Sequence, residues 1–199
     1  MSIRTFARTS ILSAIALAGA GAANADVFLK VDSAPGEAVQ RGFEGQISVS
    51  GASMNVSSFT MPDPEGLTDQ VRSTTVGPIY ITKLQDRSSP KLMMAAVEGQ
   101  PLGRIEITFT SPIRTGGQAV DAKWILEGAE VRSYNVNPDF NNGNMPTETI
   151  EISYSSMKYQ YYGKDAKGQR TGTMEEVSWR VPDRGWRVTR SYPPGSTRM

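Results

Sequence analysis

The sequence predicts a mainly β fold, a small bent β-barrel or orthogonal sandwich with one short flanking α-helix. Three observations lead to this prediction. Apolar residues alternate with polar ones along much of the chain after residue 26, which is the period of half-buried strands. Two of the predicted strands change the parity of their apolar residues midway, as strands do at the corners of such folds. Helix start and stop signals bracket one segment, residues 89–99.

The composition excludes several classes of function. The 199 residues include no His and no Cys, which rules out imidazole and thiolate metal sites, a Ser-His-Asp triad, a Cys nucleophile and disulfides. The 21 basic and 20 acidic residues give a net charge of +1, which provides no basic field for nucleic acid. We therefore expect no metal, no cofactor and no nucleic-acid partner.

The first 25 residues have the pattern of a secretory signal peptide. Two arginines precede a short apolar stretch, and small residues lead to an expected cleavage site between Ala25 and Asp26. The apolar stretch is too short to span a bilayer, and no later segment is long enough, so we expect no integral membrane segment. An Ala-rich start of a cytosolic protein is the alternative. The expected organisation is a leader over residues 1–25, one β domain over 26–181, and a basic, Pro-containing tail over 182–199.

Two strands are predicted before residue 60. Residues 27–31 alternate strictly, whereas the apolar residues of 46–57 change from odd to even positions at Gly51. We expect a bulge or corner there, and glycine tolerates one. Residues 59–78 show no sustained period, which predicts a long loop that serves as a contact arm.

One helix is predicted after a strand at residues 79–83. Ser89 is expected to cap its N-terminus, Pro90 to occupy its first position and Gly99 to end it in the left-handed conformation. The packing face is predicted to consist of Leu92, Met93, Ala96 and Val97.

The rest of the chain alternates as strands. The parity of the longest one changes at Ser155 and Ser156, which predicts a second corner. These strands are predicted over residues 104–110, 120–126, 131–136, 147–162 and 174–181.

Paired carboxylates are the only remaining route to catalysis. Asp63 and Glu65 lie in the predicted loop, which cannot hold the fixed separation that acid–base chemistry requires. Glu175 and Glu176 are adjacent on a predicted strand and therefore point to opposite faces. The sequence thus predicts no catalytic residue, and we expect the protein not to be an enzyme.

The order of these elements resembles the hemolysin-coregulated protein (Hcp) family, the tube proteins of type VI secretion systems. The similarity spans roughly residues 27–181. It implies a small β-barrel that assembles as a hexameric ring, with the sheet lining a channel and the helix on the outer wall. Stacked rings then form a tube that carries small effector proteins, with the sheath and the spike as further partners. The stretches that resemble the family most are residues 28–37, 81–99, 131–134, 148–153 and 159–161.

The same resemblance implies roles for particular residues. Ser53 and Asn55 align with the bent second strand of the family and are implied to face the channel. The extended loop that reaches a neighbouring ring falls on residues 61–72. Its candidate contact residues are Met61, Pro62, Asp63, Pro64, Glu65, Gly66 and Arg72.

Two alternatives stay open at this point. A leader predicts a secreted or periplasmic protein, whereas tube proteins are normally built in the cytoplasm and exported by the type VI system. The second alternative is a stand-alone exported β-barrel binding module that does not assemble, with the tyrosine-bearing strand and the long loop as its surface.

Overall fold

The computed structural model describes residues 26–61, 71–113, 117–138, 145–165 and 170–181. Within these ranges the chain forms nine strands, all joined in one antiparallel sheet, and one helix, which confirms the predicted class. The elements are β1 (Val27–Val31), β2 (Ile47–Val49), β3 (Gly51–Met61), β4 (Val71–Leu84), α1 (Ser89–Glu98), β5 (Pro101–Pro112), β6 (Gln118–Asn137), β7 (Thr147–Ser153), β8 (Ser156–Lys164) and β9 (Arg170–Arg180).

The sheet bends back on itself without closing into a barrel. Its main path is β2-β1-β5-β6-β7-β4-β3, so β2 and β3 are the two ends, while β8 pairs with β6 and with β9. These two ends are consecutive in the chain and meet at Ser50, whose N–H donates to the Thr82 carbonyl oxygen at 2.8 Å. The predicted barrel is thus corrected to an open sheet whose ends are joined through one bent segment.

Both predicted corners are present. The first lies at Ser50, between β2 and β3, and the second lies between β7 and β8. Glycine is not required at the neighbouring Gly51, because its φ is not positive and an added Cβ would meet nothing closer than the Thr82 Cβ at 3.9 Å. Glycine is required instead at Gly128, where φ is +61°. This residue lies between the part of β6 that pairs with β8 and the part that pairs with β7.

The predicted long loop is wrong over much of its length. β3 and β4 continue to pair as far as Met61 and Val71, and they form an arm beyond the core. Val56, Ser57 and Ser58 on this arm are exposed. Because these three consecutive residues are all exposed, buried and exposed positions do not alternate there, and the sequence lacks the period that marks a strand.

The helix occupies its predicted place with a different cap and a different face. Its N-cap is Ser88, with Ser89 already inside the helix, and Gly99 ends it in the left-handed conformation at φ 64°. Leu92 and Ala95 are buried in the main core. Met93, Met94 and Val97 are 40%, 49% and 74% exposed, so the predicted packing face is wrong for Met93 and Val97.

A second, smaller core covers the outer face of β1. Residues 32–46 fold over this face, and Phe43 stacks on Phe28 with ring centroids 4.3 Å apart. The Gly36 N–H donates to the Gly45 carbonyl oxygen at 2.8 Å. The start of this segment therefore lies directly against the backbone at its end, and Gly36 approaches Gln46 and Ile47 most closely.

Candidate functional site

A polar surface lies on the outward side of β3, β4, β7 and residues 131–137 of β6. The inward side of the same strands is core, with Ile79, Ile81, Ile150 and Ile152 fully buried. Directly paired outward residues form rows across the four strands, and Glu151 is the only charged residue in these rows. Arg132, at the register shift of β6, lies beside them, with its Nε 2.9 Å from Ser153 Oγ. We call this surface the polar face: its rows are Ser53, Tyr80, Glu151 and Ser133, then Gly51, Thr82, Thr149 and Asn135.

The two residues implied to face a channel are both exposed on β3. Ser53 lies within the polar face, in register with Tyr80. Asn55 lies at its margin, next to a register shift where Gly77 and Pro78 of β4 oppose it. Met54 between them points inward, because the Tyr154 hydroxyl lies 3.6 Å from its sulfur. The structure therefore places both residues on one side of the strand.

The candidates for a loop contact are divided by the structure. Met61 is the last residue of β3 and Arg72 is the second residue of β4, so the prediction that these two lie in a loop is wrong. Asp26 is the first residue of the described part of the chain. The other candidates, together with the leader and the tail, lie outside the described residues: Pro62, Asp63, Pro64, Glu65, Gly66 and Ala25.

The polar face is bordered by a free strand edge on each side. Among the described residues, β3 pairs only with β4, and residues 131–137 of β6 pair only with β7. The outer edges of residues 51–57 of β3 and 131–137 of β6 therefore present backbone N–H and C=O groups without a strand partner among the described residues, which is a template for pairing with another chain.

A buried polar network attaches α1 to the opposite, inward side of these strands. Lys83 of β4 and Glu148 of β7 are directly paired and are both 0% exposed. The Lys83 Nζ lies 2.8 Å from Glu148 Oε2, 2.9 Å from Asp86 Oδ1 and 3.0 Å from Ser89 Oγ. The Ser89 hydroxyl in turn donates to Glu148 Oε2 at 2.8 Å. The first residue of the helix is thereby held to the sheet.

The chemistry of this network is structural. Lys83 donates to three oxygen atoms, so it has no hydrogen-bonding capacity left to act as a base toward Ser89. The Tyr134 hydroxyl donates to the Ser89 carbonyl oxygen at 3.3 Å, and burial together with the Glu148 carboxylate raises the pKa of Tyr134. The geometry fixes an ion pair and a helix end, and it activates no nucleophile.

Sequence reasoning missed this network because Ser89 was interpreted as a cap. A signal was nevertheless present: Lys83 shares the parity of the buried Ile79 and Ile81, and Glu148 shares that of Ile150 and Ile152. A charged residue on the apolar side of a strand needs a partner there. Two such residues of opposite charge, on different strands, indicate a buried ion pair.

We expect Asp86 to make the stability of the protein depend on acidic pH. Burial raises the pKa of its carboxyl, but hydrogen bonds from Ser88 and Lys83 and the Lys83 charge outweigh this, so the pKa lies below its ordinary value. A lowered carboxyl pKa contributes stability above the unfolded-state pKa, and this contribution is lost as the pH falls through the folded-state pKa. Urea unfolding between pH 7 and pH 2 should therefore show a flatter dependence for Asp86→Asn than for the wild type. Asp32→Asn, at an exposed surface carboxylate, is the control, and an equally flat profile for both variants would contradict the assignment.

Within the described residues, no group of three or more acidic side chains is placed to hold a metal ion. No helix in the described part of the chain is long and apolar enough to cross a membrane.

Comparisons with known proteins agree with the fold. The family model described as type VI secretion system effector, Hcp, matches residues 28–161. No curated protein matches the chain. A solved type six secretion system protein is similar at 21% identity and a TM-score of 0.70, covering 78% of this chain and 95% of that one. Hcp1 from Salmonella typhimurium is similar at 18% identity and a TM-score of 0.61, covering 78% of this chain and 94% of that one. A type VI secretion system effector from Yersinia pestis is similar at 16% identity and a TM-score of 0.60, covering 78% of this chain and 100% of that one.

Proposed function

The chain belongs to the Hcp family of the type VI secretion system, and we propose that it is a structural tube subunit. In this proposal its copies form a hexameric ring, and rings stack into a tube that carries small effector proteins, with no catalytic step. The observation that carries the proposal is the polar face with a free strand edge on each side.

The polar face has the chemistry that a channel lining needs. Cargo must pass along it without adhering, so large apolar patches are unfavourable, and a strong field of one sign would hold oppositely charged cargo. The rows contain hydroxyl and amide groups, one carboxylate and one 41% exposed tyrosine, Tyr80. We propose that Ser53 and Asn55 face this channel.

The two free edges support assembly by a contact that repeats from copy to copy. β3 and residues 131–137 of β6 are different surfaces, so a contact between them is heterologous, and it closes into a ring when the rotation per copy permits. Pairing would also cover edges that would otherwise promote aggregation. The β3–β4 arm extends beyond the core, and we propose that Met61, Arg72 and the intervening candidates Pro62–Gly66 contact the next ring.

Partners and location complete the proposal. A tube of this class works with a sheath and a spike, which are the further partners that we propose. The protein would act outside the cytoplasm, either after loss of residues 1–25 or after cytoplasmic assembly and export by the type VI system itself. The β domain would span residues 26–181, with the basic tail following it.

The test of this function is the assembly state of the purified mature protein. Residues 26–199 at micromolar concentration should give ring-shaped particles with a central hole in negative-stain micrographs. Light scattering after size exclusion should show the mass of the same ring. A particle that stays monomeric at this concentration would contradict the proposal and would favour a stand-alone exported binding module.

A further inference from the structure

The outer side of α1 is an apolar surface without a cover. Met93, Met94 and Val97 lie within one turn of each other and are 40%, 49% and 74% exposed. Each of them keeps a large exposed area, since the helix packs on the core through Leu92 and Ala95 instead. We call these three residues the helix stripe. Lys91, one turn before Met94, and Glu98, one turn after it, are both exposed, and neither has an ion pair among the described residues.

A second apolar surface extends the core outward along β5, β6, β8 and β9. A row of directly paired residues begins at Ile107, which is fully buried, passes through Trp124 and Tyr159, and ends at Val177, which is 56% exposed. The next row runs through Phe109, Ala122 and Tyr161 to Glu175. We define the aromatic patch as Phe109, Trp124, Tyr159, Tyr161 and Val177.

The aromatic patch has the composition of an interface core. Aromatic side chains are enriched at the centre of protein interfaces, and Phe109 and Trp124 already pack edge to face with centroids 4.7 Å apart. Glu175 borders the patch two residues from Val177, on the same side of β9. Its carboxylate is exposed and has no ion pair within the described ranges. The patch thus has an anionic margin, and the end of the helix stripe at Lys91 is cationic.

We infer that the helix stripe of one copy packs on the aromatic patch of the next copy, with Lys91 facing Glu175. The inference rests on the proposed ring and adds a second pair of surfaces to the contact between strand edges proposed above. Both surfaces are apolar. The helix stripe has Lys91 at its N-terminal end and Glu98 at its C-terminal end, about 10 Å apart along the helix, so the end that carries Lys91 complements the Glu175 margin of the patch. Because the two surfaces differ, the contact is heterologous and repeats from copy to copy. It would lie on the core-facing side of the sheet, while the polar face stays free.

Cross-linking can test this contact without background, because the chain has no cysteine. The mature protein carrying both Val97→Cys and Val177→Cys is treated with a short bis-maleimide linker and analysed by denaturing gel and negative-stain microscopy. We expect a ladder of covalent oligomers that ends at the size of the ring. The control pairs Val177→Cys with Val39→Cys, since Val39 is 85% exposed in the segment that covers β1. That pair should give no ladder.

The outcomes separate this inference from the proposed function. Rings in micrographs with no more cross-linking at positions 97 and 177 than in the control would overturn the contact and leave the tube proposal standing. Absence of both rings and cross-links would overturn both.

A charge exchange provides a second test that leaves the core untouched. Lys91→Glu and Glu175→Lys should each raise the concentration at which rings dissociate by about tenfold, and the double variant should return it toward the wild-type value. A double variant that is no better than the worse single variant would contradict the pairing.

Discussion

Replacing Lys83 with alanine is expected to lower the free energy of unfolding by about 3–5 kcal/mol, as measured by urea denaturation at pH 7. The reason is the carboxylate that is left behind. Glu148 is 0% exposed, and the Lys83 ammonium at 2.8 Å is the cation that compensates its charge. Without Lys83, only hydroxyl donors remain near this buried charge. The variant would also free the first turn of α1, because Ser89 loses one of its partners.

Two comparisons isolate the buried charge as the cause. Lys30→Ala removes an ion pair whose side chains are 55% and 85% exposed, and it should cost less than about 1 kcal/mol. Lys83→Met combined with Glu148→Met removes both charges and fills the space with apolar atoms. This double variant should lose less stability than the two single variants together. A loss below about 1 kcal/mol for Lys83→Ala would show that the pair is not essential.

The network and the inferred contact between copies share the same helix. Lys83, Asp86 and Glu148 fix the start of α1 on the sheet, and the helix stripe is displayed by the outer side of that helix. A variant that loosens the network should therefore weaken assembly as well as folding. The charge exchange at Lys91 and Glu175 affects assembly alone, so the two effects can be measured separately.

The fold could be predicted wherever burial is one-sided and regular. The parity changes near Gly51 and Ser155 identified both corners, because each marks the point where a strand turns a new face to the core. Gly99 identified the end of the helix, since a left-handed residue at that position strongly favours glycine. These signals are local, and each one reports a single physical constraint on the chain.

The rest depends on contacts between distant residues. Three consecutive residues of β3 in the β3–β4 arm, Val56, Ser57 and Ser58, are all exposed, so no period marks this stretch. The orientation of α1 is set by the buried Ser89, which Lys83 of β4 and Glu148 of β7 hold in place, and the helix therefore turns Met93 and Val97 outward. For the candidate site, Ser53 could be located by resemblance, but the rows of the polar face require the register between β3, β4, β7 and β6.

Gly36→Ala is expected to destabilise the protein by about 3 kcal/mol, near the upper end of the usual effect of overpacking. An added Cβ would meet the Gln46 carbonyl oxygen, the Ile47 Cα at 2.5 Å and the Gln46 carbonyl carbon at 2.7 Å. All three are backbone atoms, so no flexible side chain can move aside, and the segment over β1 must shift. That shift would disturb the bond from the Gly36 N–H to the Gly45 carbonyl oxygen and the stacking of Phe43 on Phe28.

Gly51→Ala is the matched control for this effect. Gly51 also has a φ that is not positive, but its nearest neighbour for an added Cβ is at 3.9 Å, which is ordinary contact. The substitution also reduces the conformational freedom of the unfolded chain, so it should leave the protein equally stable or more stable by up to about 1 kcal/mol. Because both changes add the same methyl group, the difference between their urea midpoints measures the close approach at Gly36. Equal midpoints would mean that Gly36 does not lie against the backbone of Gln46 and Ile47.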